Sequence, residues 1–160
     1  MAGYTIVNLM ELENRAVEGG STLDSRFARG EIESDHIGVS HFRYAPGRRS
    51  SRGHSHREQE EVYVVLGGSG RVKLDDELLD LRVWDIVRVA PQTVRGFSAG
   101  PEGLELLALG SDRPEGGDGV QADDDWWGDE SVGSLDRRYK AHDATPNDLC
   151  SANSPRRSTG

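Results

Sequence analysis

Between Ile37 and Gly110 the chain keeps one short rhythm. The apolar runs "IGVSHFRYA", "EVYVVL", "RVKL", "ELLDL", "DIVRVA", "VRGF" and "LELLALG" alternate with "PG", "GGSG", "DD", "PQ" and "AGPEG". The breaks hold the residues that permit tight reversal, so the runs read as strands and the breaks as turns. No window here sustains the 3.6-residue period of an amphipathic helix. Strands at this spacing without helices between them predict an all-β sandwich or barrel. Upstream, Tyr4 to Leu9 is expected to add a strand, and "EGGSTLDSRFARGEIE" to form a loop with one helical turn.

At 160 residues the chain fits one domain with a core of its own. Only 34% of it is hydrophobic and 20 residues are glycine, which suits a loop-rich domain with polar ends. The expected division is an N-terminal arm over residues 1–34 packing on a barrel at 35–110, then an acidic, largely irregular tail at 111–160. The net charge of −9 is spread over both parts. The tail holds eleven acidic and six basic side chains; the remainder holds seventeen and thirteen. Neither offers the basic footprint of a nucleic-acid binder, and anionic membranes are disfavoured equally. The opening "MAGYTIVNLMELENR" lacks the basic and apolar regions of a secretory leader, and no run has transmembrane length. Cys150 is the only cysteine, so neither an internal disulfide nor a CxxC metal site can form. These features predict a cytoplasmic protein. Trp126 and Trp127 stand out in the tail, and are expected to anchor it on the barrel wall or to serve as a lid or partner contact.

The chemistry concentrates in "GHSHREQEEVYVVLGGSG", residues 53–70. His54 and His56 are two apart and share one face of an extended strand. Glu61 follows at the start of the next run. Two imidazoles and a carboxylate, if the fold brings them together, suit Fe(II) and can also hold Mn, Ni, Cu or Zn. The bland alternative is a polar strand end with its histidines in water.

The order of residues changes the weighing. The stretch resembles the first motif of the cupin superfamily: His-x-His, a spacer of three or four residues, Glu, six residues, and Gly. His54, His56, Glu61 and Gly68 match it, with "REQE" as spacer. "LRVWDIVRVAPQTVRGF" resembles the second motif through Asp85, Pro91 and Phe97. The chain is similar to small single-domain cupins of the cupin-2 conserved-barrel type, actinobacterial members among them. The resemblance covers about residues 40–110. It implies a jelly-roll β-barrel, a divalent metal on His54, His56 and Glu61, and a homodimer.

One departure matters. Arg95 occupies the place of the family's fourth ligand, a histidine, and a guanidinium has no lone pair for a metal. A positive charge about 5 Å from a dication costs on the order of 6–7 kcal/mol at an effective dielectric near 20. Two outcomes stay open. The metal stays on three ligands and Arg95 recognises a small anionic molecule; or Arg95 pairs with Glu61 and the pocket binds its ligand without metal. A third role, as a partner-binding scaffold using the "DDDWW" tail, needs no site chemistry. Whether the protein is an enzyme is left open by all three. Trp84 and Gln92 stand where the second motif usually has glycines.

Tyr63 and Val65 share the face of Glu61, and Phe97 that of Arg95, so Tyr63 and Phe97 are expected to line the ligand pocket. His36 and His41 read as surface histidines, and His142 has no role. "GGSG" reads as a hairpin turn rather than a phosphate loop, and Asp123–Asp125 as solvated charge.

Overall fold

The computed structural model describes residues 3–15 and 23–128. His142 and Cys150 lie outside the described residues. Eight strands form in chain order: β1 (Leu23–Phe27), β2 (Gly38–Tyr44), β3 (His54–His56), β4 (Glu61–Leu74), β5 (Glu77–Arg82), β6 (Ile86–Val89), β7 (Arg95–Gly110) and β8 (Gly119–Gln121). Every pairing is antiparallel. The order β1-β2-β7-β3-β8 runs along one path, while β4 pairs with β5, β6 and β7. The all-β jelly-roll expectation therefore holds. No described helix is long and apolar enough to cross a membrane.

Two strands are longer than the sequence rhythm suggests. "GGSG" is no reversal: β4 runs through it, and β7 runs through "AGPEG". The β4–β7 register shifts between Val65 and Gly67 and again between Gly68 and Gly70, so the ladder bends there instead of ending. Gly68 sits at φ +71, and a Cβ there would lie 2.1 Å from the Gly103 carbonyl oxygen. Only glycine fits a crossing that close. These bends carry both long strands around the barrel.

Other local expectations also change. Leu23, Ser25 and Phe27 alternate on β1, in a stretch read as loop and helical turn. Tyr4–Leu9 forms no strand, and Leu9–Glu11 is a single 3₁₀ turn capped by the Asn8 side chain. β1 is short and Tyr4–Leu9 lacks a partner strand, so propensity alone misplaced both. Trp84 has φ +72, which explains why glycine suits that position in the family motif.

The interior is filled by alternate residues of β2, β4 and β7, among them Tyr44, Val65, Val72, Leu104 and Leu106. Val65 and Leu106 are completely buried, each contributing on the order of 2 kcal/mol.

His41 is a correction. It is 2% exposed, on the outward face of β2, where Nε2 lies 2.7 Å from Glu105 Oε1. Arg43 donates to the same oxygen at 2.9 Å. His41 lies on the same face of β2 as Arg43, away from Tyr44, and neighbouring side chains cover it there. Partial burial alone would raise the Glu105 carboxyl; His41 and Arg43 outweigh it and hold the group below its ordinary range. A depressed carboxyl contributes stability in full above its unfolded pKa and loses it as pH falls through its folded one. Glu105→Gln is thus expected to cost on the order of 1–2 kcal/mol near neutrality. In urea titrations its gap to the native protein should narrow steadily below about pH 4.5, the ordinary value of the group.

Candidate functional site

β3 sits between β7 and β8, with His54 opposite Arg95 on one side and opposite Gln121 on the other. Cross-strand partners project to one side, so the register itself places Arg95 beside the two histidines. The loop 57–60 then returns the chain to Glu61, whose side chain shares the inward face with Tyr63 and Val65. His54, His56 and Glu61 are thereby brought together, each offering one ligand atom within 4.8 Å of the others.

Glu61 Oε2 is the centre of the cluster. His56 Nε2 lies 3.3 Å from it and His54 Nε2 3.8 Å. Arg95 donates to the same oxygen through Nη2 at 2.7 Å and Nε at 3.2 Å, and the Tyr63 hydroxyl donates to it as well. Burial pushes the Glu61 carboxyl upward. Contacts with His54, His56 and Tyr63 and the Arg95 charge overcome this, holding it far below the carboxylate range. Tyr63 moves the other way: burial and the Glu61 charge keep its hydroxyl protonated well beyond the ordinary value.

Arg95 is 0% exposed. Its Nη1 donates to the carbonyls of Pro91 at 3.1 Å, Thr93 at 3.0 Å and His54 at 3.4 Å. The Pro91–Thr93 turn thus holds the guanidinium on its carbonyls, and the carboxylate neutralises it. The fork that the sequence offered to an anion is occupied by Glu61.

His56 is fixed from behind. Its Nδ1 is 2.8 Å from Asp118 Oδ1, while Asp118 Oδ2 accepts the backbone N–H groups of Glu58 at 3.0 Å and Gln59 at 2.8 Å. Asp118 is 2% exposed. Burial would raise its carboxyl, but the two amides and His56 hold it down at about 2. An ionised carboxylate has no proton to give, so His56 Nδ1 carries the hydrogen. Its Nε2 is buried without a hydrogen-bond partner and, in the neutral ring, turns its lone pair toward the cluster. Burial lowers the pKa of His56, and Glu61 and Asp118 together raise it above the ordinary value. That fixed tautomer and that orphaned atom fit a metal ligand.

Asp118 was not among the residues singled out from the sequence. It stands in "GGDGV", within a tail expected to be irregular, and only the pairing of β8 with β3 gives it a place. Beyond β8 the tryptophans pack as the anchoring reading expects. Trp127 is 4% exposed and its Nε1 donates to Ser50 O at 2.8 Å. Lys73 Nζ lies 4.9 Å over the Trp126 ring and donates to its carbonyl at 2.8 Å. Gly96 makes room: a Cβ there would lie 2.8 Å from Trp126 and 3.0 Å from Trp127.

Tyr63 and Phe97 do line the interior, with ring centroids 4.7 Å apart. Each packs on the other, and Tyr63 also reaches Glu61. His36 stays exposed and pairs with Asp112 at 3.0 Å. Asp124, from the acidic run, pairs with Arg52. An open groove of about 450 Å³, lined by Asp24, Arg43, Gly67, Glu102 and Glu105, shares no residue with the cluster. The site is therefore recognised by its side chains.

Comparison with known proteins agrees with the geometry. A family model described as "Cupin domain" matches residues 40–110. Among curated proteins none matches the chain. A solved cupin protein from Bacteroides fragilis is similar at 22% identity and TM-score 0.59, covering 72% of this chain and 89% of that one. KdgF from Halomonas sp. is similar at 17% identity and TM-score 0.58, covering 70% and 96%. An oxalate decarboxylase variant from B. subtilis is similar at 24% identity and TM-score 0.60, but this chain spans only 33% of it, with 74% of its own length covered. At such identities the likeness speaks for the fold.

The Arg95–Glu61 pair makes a stability prediction. Removing one partner leaves the other as an uncompensated buried charge. Arg95→Met should destabilise by about 3–5 kcal/mol, and adding Glu61→Gln should recover a large part of that loss. Denaturant midpoints of the two variants would decide; equal losses would mean that the charges are not coupled.

Proposed function

We propose, from the premise that residues 40–110 form a cupin domain, that the protein binds a small molecule at a divalent cation held by His54, His56 and Glu61. The observation that carries this reading is His56 Nε2. A buried lone pair facing a carboxylate oxygen 3.3 Å away is unbalanced unless a cation or a proton lies between them. The convergence of a His54 nitrogen on the same carboxylate favours the cation.

Fe, Mn, Ni, Cu and Zn all suit two imidazoles and a carboxylate. When bound, such an ion supplies Lewis-acid polarisation at its open positions. Arg95 would favour an anionic ligand through its charge alone, since its fork is engaged with Glu61 and it has no exposed surface. A cytoplasmic homodimer remains part of this proposal.

A second reading rests on a specific observation, the ion pair of Arg95 with Glu61. In it the ion pair replaces the metal and the pocket binds its ligand metal-free. Element analysis of untagged protein separates the two, beside His54→Ala and Arg95→His. The metal reading expects about one equivalent in the native protein, its loss in His54→Ala, and binding more than tenfold tighter in Arg95→His, where the repulsion is gone. Metal in Arg95→His alone would establish the metal-free reading for the native chain. None in any of the three would sink the metal site.

A further inference from the structure

The three candidate ligands all fall within residues 40–110, but the group that orients one of them does not. We propose that Asp118 is a positioning residue that sets the tautomer of His56, so that the segment after the cupin domain completes the site. This rests on the reading of His56 as a ligand.

The geometry is directional. Asp118 uses its two oxygens differently: Oδ2 takes two backbone amides of the 57–60 loop, and Oδ1 takes His56 Nδ1. The amides fix the carboxylate in the plane where it can only accept, and a histidine facing an acceptor must present a hydrogen. That leaves Nε2 bare toward Glu61 and His54. Asp118 is itself held in place. β8 follows it immediately, and pairs Ser55 with Val120 and His56 with Gly119. Farther on, Trp127 ties the segment to Ser50, and Trp126 rests on Lys73. One strap therefore runs from the outer wall of the barrel to the back of a ring in the site.

An isosteric change tests the idea. In Asp118→Asn the Glu58 and Gln59 amides claim the carboxamide oxygen, because two donors outweigh one. The side-chain NH2 then faces His56 Nδ1, which must turn acceptor, and the hydrogen moves to Nε2. Long-range ¹H–¹⁵N spectra of the labelled full chain, followed upward in pH until the His56 ring is neutral, read this directly. The native protein should show Nδ1 protonated and Nε2 bare. Asp118→Asn should show the reverse, with Zn²⁺ affinity down about 10–100-fold. Asp124→Asn, in the same strap but paired to Arg52 at the surface, should change neither.

A protonated Nε2 in the native protein overturns the proposal, and this arm needs no folded variant. So does an unchanged tautomer in folded Asp118→Asn, whatever its affinity. If the tautomer inverts while no form binds Zn²⁺, Asp118 keeps its positioning role and the metal reading fails instead.

Discussion

A guanidinium with no exposed surface has to be neutralised where it lies, and this requirement organises the barrel interior. Arg95 enters the cavity beside His54 and meets a carboxylate that three other side chains also address. An isolated buried charge would be prohibitive. The cost is met by two bonds to Glu61 and by carbonyls of Pro91, Thr93 and His54. The Pro91–Thr93 turn, the start of β7 and the start of β4 are therefore tied to one another through a single side chain. Such a pair need not add net stability over an apolar replacement; what it fixes is geometry. Glu61 is left with one oxygen engaged and its charge largely answered, and the two imidazoles are arranged around it.

Much of this was legible in the sequence, for reasons that can be separated. The parity of His54 and His56, the inward run of Glu61, Tyr63 and Val65, and the shared face of Arg95 and Phe97 all follow from the period of a strand. The motif order supplied what parity cannot, the meeting of strands distant in sequence. The pairing of Arg95 with Glu61 was one of two alternatives weighed from residue chemistry alone. Illegible were features set by neighbours rather than by pattern. "GGSG" carries turn residues but serves as a bend in a continuous strand, because β7 pairs with it at Gly67, Gly68 and Gly70 across a register shift. His41 reads as a surface residue and is buried under side chains that alternation does not describe.

Asp118 is the instructive omission. A lone aspartate among glycines in an acidic segment has no pattern to announce it. Its value arises from two backbone amides presented by the 57–60 loop and from a histidine on the adjacent strand. Backbone donors are invisible to any reading by residue type, yet they turn an ordinary carboxylate into a fixed acceptor.

The strap that carries Asp118 also changes how the tryptophan pair is understood. Aromatics docked on the outer wall read as anchors, and their contacts with Lys73, Gly96 and Ser50 support that. An anchor matters according to what it holds. Between Asp118 and Trp127 lie eight residues, including the short β8, so a loosened tryptophan has little chain in which to absorb its movement. Side-chain hydrogen bonds weaken steeply as they leave alignment, and a carboxylate swung off His56 Nδ1 would release the ring to either tautomer. Packing on the outside of the barrel and the direction of a lone pair inside it are thus parts of one mechanical chain. An acidic segment that composition alone would dismiss as solvated tail is where that chain begins.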